Sequence, residues 1–335
     1  MAAVLPPEVA ALLAQAGGAA SRRELVAIGA TDNDLRRWVR RGLLLRVRDG
    51  VYALAGDLGI PGMDASHQRQ LAAAMQAGPD VVVSHRSAAL LHGLPLANGV
   101  GRPEVTRDES GPRISGLRVH RYGVASAHVM QQDGLRVTTA ARTVVDVCRV
   151  VPLVSALVTS DAALRQQLVT TAECREVLLS LGDINFRRRT YQVIGLSDPG
   201  AESPFESISR GRLFEEGVPR PLLQWWIGDG KDIWFRPDML WWEWGLIGEA
   251  DGRVKYQDPD ALWKEKLRQD WLESQGLAVV RWISPEMRRS PQSVARRWGL
   301  ARDRQIRLGW TCPAGLWLAP PGPWPPSRPG LQNCA

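Results

Sequence analysis

Four acidic side chains in the last third of the chain have types and spacing that could hold a divalent metal ion: Glu206, Asp238, Glu249 and Asp251. Glu249 and Asp251 alternate along a predicted strand and so point to one face of it, and Asp238 lies at the entry to the neighbouring strand of a predicted hairpin. Glu206, one turn into a predicted helix, could reach the same place. Hard oxygen ligands of this kind suit Mg²⁺, which would activate water and neutralise charge on a scissile phosphate.

A nearby cation would add charge stabilisation, and Lys255 and Lys266 are candidates for that role. Only four of the 42 basic residues are Lys, and all four lie between residues 231 and 266. The same residues allow a purely structural interpretation, in which Glu206 lies on a helix surface and Asp251 begins a turn. The spacing alone does not decide between the two.

Six arginines between residues 36 and 48, with no acid among them, are the second set that could do chemistry. They are Arg36, Arg37, Arg40, Arg41, Arg46 and Arg48. On a helix the first four share one broad face, and the last two project from one side of a strand. Guanidinium groups bind phosphates and read guanine in the major groove. The set predicts a double-stranded DNA interface, with a solvated face of a protein-interaction module as the alternative.

The elements that position these arginines are predicted from local signals. Residues 5–16 have the apolar spacing of a short helix. Ser21 with Glu24, and Thr31 with Asp34, have the spacing of N-terminal capping boxes for two more helices. The alternating stretch that follows turns at Asp49-Gly50, a strong hairpin signal. Three short helices and a two-stranded wing make a winged helix-turn-helix.

The middle of the chain is predicted to be mixed α/β, with helices at 63–77, 139–149 and 159–181. It lacks a Gly-rich phosphate loop and a nucleophile elbow. Its histidines His85 and His92 are expected to serve packing or capping. Arg142 and Asp146, four residues apart on one helix, have ion-pair spacing.

After a boundary near 195–203 the composition shifts, and 13 of the 14 Trp lie beyond residue 200. A helix at 203–216 is predicted to precede a three-stranded meander of strands 222–227, 234–242 and 245–251. A long helix, a strand at 277–283 and another helix follow. The Trp cluster fits a sheet packed under helices better than a base-stacking surface.

Bulk composition limits the partners and the location. A net charge of +7 favours a polyanionic partner. The four cysteines are widely spaced, which argues against a zinc site or a disulfide framework. Neither a basic leader nor a membrane-length apolar run is present, so we expect a cytoplasmic protein. All five His lie at or before residue 128, which excludes a His-ligated nuclease site in the C-terminal part.

The motifs ESPFES, RPDML, GEADGRVKY, ALWKEKLRQDWL and GLAVVRWIS, within 200–298, resemble the PD-(D/E)XK restriction-endonuclease-like superfamily, especially its very-short-patch-repair-like branch. The resemblance implies metal ligands at Glu206, Asp238 and Glu249, with Mg²⁺ or Mn²⁺ as cofactor. Where the superfamily has Lys two residues after the strand acid, this chain has Asp251. In the related branch a His stands at the position of Lys255. These departures, and the existence of inactive members, leave catalysis open.

The stretch SRRELVAIGATDNDLRRWVRRGLLLRVRDGVYAL resembles the winged helix of AbiEi-family antitoxins, which are transcriptional repressors of type IV toxin–antitoxin operons. SHRSAALLHGLPL and LRVTTAARTVVDVCR continue as the regions after that winged helix often do. This resemblance implies operator DNA as a partner, and a possible cognate toxin. It does not imply an oligomeric state.

The predicted fold is α+β multidomain. It comprises a winged helix-turn-helix at 1–58, a mixed α/β middle at 59–197, a restriction-endonuclease-like α/β sheet domain at 198–299 and a disordered Pro-rich tail at 300–335. The first functional hypothesis is a DNA-binding regulator of the AbiEi type. The alternatives are a Mg²⁺-dependent DNA endonuclease and, third, a Trp-rich docking surface for a protein.

Overall fold

The computed structural model describes residues 4–56, 63–108, 114–182, 184–231, 233–251, 259–322 and 332–333. By its internal contacts the chain divides into two compact units, residues 1–197 and residues 198–335. Residues 1–58 and 59–197, which the sequence analysis separates, therefore lie within one unit.

The first unit begins with three short helices and three strands. They are α1 (Pro7–Gln15), β1 (Ala19–Ser21), α2 (Arg22–Ala27), α3 (Asp32–Arg40), β2 (Leu44–Arg48) and β3 (Val51–Leu54). Both predicted capping boxes are confirmed: Ser21 and Glu24 bond reciprocally at the start of α2, and Thr31 and Asp34 do so at the start of α3. These contacts satisfy backbone N–H groups that have no partner inside the helix.

The three strands form an antiparallel sheet in the order β1-β3-β2. The hairpin turn falls at Asp49-Gly50 as predicted, and Gly50 has a φ of 66°, which glycine adopts without steric cost. A third strand, β1, pairs with β3 and was not predicted. Leu35 and Trp38, on the inner face of α3, are buried with Leu25 and Leu44. Burial of that stripe leaves the arginines of α3 on the outer face.

The rest of the first unit combines a five-stranded sheet with helices. Its elements are α4 (Ala65–Met75), β4 (Val82–Val83), α5 (His85–Leu91), β5 (Glu104–Arg107), β6 (Arg118–Arg121), β7 (Val129–Gln132), β8 (Leu135–Thr138), α6 (Ala140–Val150), α7 (Leu153–Arg165), α8 (Thr171–Ser180) and α9 (Arg187–Leu196). The strand order is β6-β5-β4-β8-β7. The predicted helix 159–181 is two helices, broken where Gln167 has a positive φ of 56°. The helix α9 was not predicted.

One apolar core connects the three-stranded sheet to the following helix. Ala19 and Ala53 of the sheet are fully buried with Leu71 of α4 and with Val83 and Val137 of the five-stranded sheet. This shared core explains why the first 197 residues form one compact unit.

The second unit contains two four-stranded sheets. Its elements are α10 (Pro204–Glu215), β9 (Leu222–Leu223), β10 (Trp226–Gly228), β11 (Trp234–Phe235), β12 (Met239–Trp241), β13 (Leu246–Asp251), α11 (Pro259–Ser274), β14 (Ala278–Ile283), α12 (Ser284–Arg289), α13 (Pro291–Arg307), β15 (Trp317–Ala319) and β16 (Gln332–Asn333). One sheet has the order β14-β13-β12-β9, with β13 and β14 parallel, and the other has the order β11-β10-β15-β16.

The predicted three-stranded meander is confirmed in the order of its antiparallel pairings, but it is wrong in the continuity of its first two strands. Strand β9 pairs with β12, whereas β10 and β11 pair with each other in the second sheet. Between β9 and β10, Gln224 has a positive φ of 57°. This break separates the predicted strand 222–227 into two short strands.

The prediction of a disordered tail from residue 300 is also wrong for the part of it that the structure describes. Residues 300–307 belong to α13, and β15 pairs with β10. Leu316 and Leu318 are buried beside Ile227 and Leu240. These apolar side chains hold a segment whose Pro content suggested disorder.

The described cysteines differ in their state. Cys148 and Cys174 are free and buried, whereas Cys312 is disulfide-bonded, which the spacing of the cysteines did not predict. Among the residues that the structure describes, no helix has both the length and the apolar character needed to cross a membrane.

Candidate functional site

The arginines predicted to contact DNA lie on α3, at its C-terminal end and on the hairpin. Arg36, Arg37 and Arg40 are exposed on α3, Arg41 follows it, and Arg46 is exposed on β2. The helix and the hairpin thus present five exposed guanidinium groups.

A groove of about 750 Å³ lies between α3 and the hairpin. Its cationic lining comprises Arg22, Arg36, Arg40 and Arg46. The acid in this lining, Asp32, accepts two hydrogen bonds of 2.7 Å from Arg22. The described lining therefore carries four guanidinium groups and one carboxylate, and this excess of positive charge makes the groove suited to an anionic ligand.

Local contacts orient several of these side chains. Arg36 donates to the side chain of Asn33 at 3.3 Å, and Arg37 pairs with Asp34 of the capping box. Arg46 pairs with Asp49 of the hairpin turn, whose side chain is almost fully exposed. Exposed pairs of this kind contribute little to stability.

Arg48 departs from the prediction that it projects beside Arg46. The register of β2 against β3 shifts between these two residues, which breaks the simple alternation of sides. Arg48 is half-buried, and none of the described residues gives its enclosed Nη2 a hydrogen-bond partner. Burial lowers its pKa from the ordinary arginine value. Arg48 is therefore a desolvated cation rather than a freely exposed one.

In the second unit, Asp238 and Glu249 are neighbours across an antiparallel strand pair. Met239 pairs with Gly248, so the residues next to them along each strand face one another. The N–H of Ala250 donates to Asp238 Oδ2 at 2.8 Å, which fixes that carboxylate against β13. The hairpin thus brings these two predicted site residues together.

Glu249 is buried, and its carboxylate is paired with Arg268 of α11. Arg281 of β14 is its strand partner on the other side. Burial raises the pKa of Glu249 to about 7, with Asp238 raising it further and Arg268 opposing the shift. A carboxyl group with this pKa could exchange a proton near neutral pH.

Glu206, the third predicted ligand, serves the N-terminus of α10. One of its oxygens accepts from the Ser203 hydroxyl at 2.7 Å, and the other accepts from the Glu202 N–H at 2.8 Å and from Gln224 at 3.2 Å. Burial raises its pKa, and Asp238 contributes to the rise. Glu206 therefore lies within electrostatic reach of Asp238, with its oxygens already engaged.

The remaining predicted residues contribute less to this cluster. Asp251 is half-buried at the end of β13, opposite Ile283 of β14. Lys266 is exposed, and Lys255 lies outside the described residues. Arg268 supplies the cation beside Glu249 that we expected from a lysine. Among the residues that the structure describes, no group of three or more His, Cys, Asp or Glu side chains is placed to hold a metal ion.

Sequence reasoning missed Arg268, although a signal for it exists. Arg268 stands four residues before Leu272, which is buried in the core of the second unit. Residues four apart lie on the same helix face, so Arg268 points toward the sheet, whereas Lys266 is exposed.

The first unit also contains a buried polar chain that begins at Thr106. The Thr106 hydroxyl donates to Ser84 Oγ at 2.7 Å, so the Ser84 hydrogen is free to go to His85 Nδ1 at 2.9 Å. His85 then carries its proton on Nε2, which lies 3.0 Å from the Tyr122 hydroxyl, and Tyr122 donates to Asp146 at 3.3 Å. Burial lowers the pKa of His85 to about 3 and raises that of Tyr122 to about 12.

Neighbouring charges enclose this chain. The ring of His120 stacks on that of His85 with centroids 3.5 Å apart. The ion pair predicted from spacing between Arg142 and Asp146 is confirmed at 3.0 Å, with both side chains buried. The expectation that His85 serves packing agrees with its burial among these groups.

Comparison with known proteins finds a family match in the N-terminal part. Residues 7–55 match the family described as "Transcriptional regulator, AbiEi antitoxin". These residues span α1 to β3. The N-terminal segment is therefore similar to the regulator domain of AbiEi-type antitoxins.

Two relatives come from Mycobacterium tuberculosis. Uncharacterized protein MT2308 of strain CDC 1551 / Oshkosh is 29% identical over 275 residues, covering 81% of this chain and 97% of that protein. Uncharacterized protein Rv2248 of strain ATCC 25618 / H37Rv matches with the same identity and coverage. The crystal structure of RV2827C protein from Mycobacterium tuberculosis aligns with 16% identity and a TM-score of 0.37, covering 66% of this chain and 85% of that chain.

Proposed function

We propose that this protein is a DNA-binding transcriptional regulator of the AbiEi antitoxin type. In this proposal the three short helices and the hairpin act as a winged helix-turn-helix. Helix α3 enters the major groove, and the hairpin contacts the adjacent backbone. The observation that carries the proposal is the arginine-lined groove between α3 and the hairpin.

The charge arrangement supports this proposal. Arg36 and Arg40, four residues apart, both line the groove and are exposed. Guanidinium groups so placed can bind a phosphate or the O6 and N7 of guanine. The inner face of α3 is held by Leu35 and Trp38, so the helix can be presented as a rigid element.

The family match at residues 7–55 supports the regulatory role independently of the groove. An antitoxin of this type would also counteract a toxin, so a toxin encoded beside its gene is part of the proposal. The test of that part is whether expression of this protein restores growth to cells that express the neighbouring gene.

A promoter reporter tests the regulatory role. The promoter upstream of the protein's own coding sequence would drive the reporter in cells that lack the gene. Wild-type protein should repress it, and Arg36→Ala with Arg40→Ala should not. The matched control changes Arg187 and Arg188 of α9 to Ala, which removes the same charge outside the groove. Equal repression by both double variants would contradict the proposal.

The second candidate function is a metal-dependent DNA endonuclease in the second unit, working with Mg²⁺ or Mn²⁺. The observation that favours it is the cross-strand pair of Asp238 and Glu249, with Glu206 in electrostatic reach. In the described arrangement, however, these carboxylates do not fit a metal centre. The oxygens of Glu206 accept hydrogen bonds from Ser203, Glu202 and Gln224, and Glu249 is already paired with a guanidinium.

Plasmid cleavage tests this candidate. Wild-type protein would be incubated with supercoiled DNA and Mg²⁺ or Mn²⁺, in parallel with Asp238→Asn and Glu249→Gln. Cleavage by the wild type that both variants lose would support an endonuclease. Cleavage that survives in both variants would point to a contaminating nuclease, and no cleavage at all would leave regulation as the function.

A further inference from the structure

A second groove lies on the other side of the hairpin in the first unit. It has a volume of about 420 Å³, and β2, α4 and the segment before β6 line it. Among the described residues, its charged lining consists of Arg46, Arg48 and Arg69, with no acid among them. The neutral polar residues Ser66 and Ser115 complete its wall. Such a lining offers hydrogen-bond donors and positive charge to an anion.

The cations of this groove are only partly neutralised by the protein. Within the described part of the chain, the buried Arg48 Nη2 has no hydrogen-bond partner, and burial lowers the pKa of this side chain. Arg69 donates to the Ala55 carbonyl at 3.0 Å, which holds the guanidinium at the groove without cancelling its charge. A desolvated cation that lacks a counter-charge is stabilised when an anion binds beside it.

Arg46 connects the two grooves, because it lines both of them. A ligand that crosses the hairpin from the α3 side would therefore reach Arg48 and Arg69 next. A DNA duplex is a ligand of that kind, since its phosphates repeat along the whole backbone.

We propose that the backbone of the DNA bound by α3 continues across the hairpin, and that its flanking phosphates bind in the groove formed by Arg46, Arg48 and Arg69. This inference rests on the proposed DNA-binding function and extends its interface beyond residues 7–55 into α4. The contacts are to phosphates, so they add affinity and salt dependence at any DNA sequence.

The first experiment measures the salt dependence of binding. Fluorescence anisotropy would follow a mixed-sequence duplex long enough to cover both grooves, at several salt concentrations. Arg69→Ala should weaken binding and lower the slope of log affinity against log salt by about 0.9, the value for one lost phosphate contact. Arg188→Ala, which removes one exposed charge from α9, is the matched control and should leave the slope unchanged.

A second variant guards against a change in folding. Ser66→Glu places a carboxylate in the groove at the second residue of α4, where an acid is favourable for the helix. Its control is Ala172→Glu, at the second and exposed residue of α8. We expect a larger loss of affinity in Ser66→Glu than in Ala172→Glu, with thermal unfolding midpoints close to that of the wild type.

The outcomes separate the two proposals. Two results together would overturn the proposal that phosphates bind in the second groove. These are a wild-type salt slope in Arg69→Ala and equal affinities of Ser66→Glu and Ala172→Glu for the duplex. If Arg36→Ala with Arg40→Ala nevertheless lost DNA binding, the proposed function would stand without phosphate binding in the second groove. Wild-type protein that binds no duplex at any salt concentration would overturn the proposed function itself.

Discussion

Arg22 and Asp32 form a bidentate ion pair in the lining of the groove between α3 and the hairpin. Asp32 Oδ1 accepts from Arg22 Nε and Asp32 Oδ2 accepts from Arg22 Nη2, both at 2.7 Å. The hydrogen bond from Arg22 lowers the pKa of Asp32. The pair keeps one of the four groove arginines engaged with protein instead of solvent.

We predict that Asp32→Asn strengthens DNA binding. The substitution removes a negative charge from the groove lining and releases the Arg22 guanidinium for a phosphate. If Arg22 gains one phosphate contact, the salt slope should become steeper by about 0.9. Anisotropy titrations of the wild type and variant with the same duplex would measure it. The control is Glu8→Gln, which removes an exposed acid from the first turn of α1. Equal gains in DNA affinity for Asp32→Asn and Glu8→Gln would contradict a specific role of Asp32 in the groove.

Tyr122→Phe should destabilise the first unit. The Tyr122 hydroxyl lies between His85 Nε2 and Asp146 Oδ1. Its loss removes the partner of the buried His85 Nε2, whereas Asp146 Oδ1 still accepts from Arg149 at 3.3 Å. The expected cost is about 1–3 kcal/mol, as for other unsatisfied buried groups. Thermal unfolding followed by circular dichroism would detect it. Tyr191→Phe, which removes a hydroxyl from an exposed ring, should have no effect.

His85 should make the first unit sensitive to acid. Its pKa is lowered to about 3 by burial, against 6.5 for an unperturbed histidine. Below pH 6.5 the unfolded chain binds a proton that the folded chain does not, so the free energy of unfolding decreases as the pH falls. At pH 5 this decrease is about 2 kcal/mol.

His85→Asn removes the titrating group and suits the backbone, because Asn tolerates the positive φ of 53° at this position. Denaturant unfolding between pH 7 and pH 5 should therefore show a shallower loss of stability in the variant than in the wild type. If the free energy of unfolding fell equally with pH in both proteins, His85 would not be the source of the acid sensitivity.

Titration of Glu249 should make the second unit less stable as the pH rises, which is the opposite of the effect of His85. Its folded pKa of about 7 exceeds the ordinary value of 4.5, so the folded state retains a proton that the unfolded state loses. The free energy of unfolding therefore decreases as the pH rises from 4.5 through 7, by up to about 3 kcal/mol.

Glu249→Gln should remove this decrease. Denaturant unfolding at pH 5 and at pH 8 would measure it, with Glu243→Gln as the control because Glu243 is exposed on the same hairpin. If the difference in the free energy of unfolding between pH 5 and pH 8 were the same in Glu249→Gln as in the wild type, another group would be responsible for it.

The features that the sequence predicts best are local ones. The capping boxes at Ser21 and Thr31 are set by residues three apart. The turn at Asp49-Gly50 likewise depends on adjacent residues, and Asp238 lies beside Glu249 because one short hairpin connects their strands. Short-range geometry of this kind is contained in the spacing of the residues themselves.

Long-range pairings were not predicted. Strand β15 pairs with β10, about 90 residues earlier in the chain, and no local pattern identifies that partner. The break at Gln224 depends on a left-handed conformation that glutamine rarely adopts, so its sequence gives no sign of it.

At the site, the sequence predicts residue types better than it predicts their partners. Glu206 was expected as a metal ligand, but its helix position also makes it the natural acceptor for Ser203 and the Glu202 N–H. Arg268 was not predicted, because the superfamily pattern indicates a lysine as the cation at this site. Which donors reach a carboxylate depends on packing between distant elements, and composition does not encode that.

The central claim is that α3 and the hairpin bind DNA through Arg36 and Arg40. Its most direct test is an anisotropy titration of one labelled duplex with the wild type, with Arg36→Ala plus Arg40→Ala, and with Arg187→Ala plus Arg188→Ala. We predict a salt slope lower by about 1.8 in the groove variant, the value for two lost phosphate contacts, and an unchanged slope in the α9 variant. Identical affinities and slopes for all three proteins would contradict the claim.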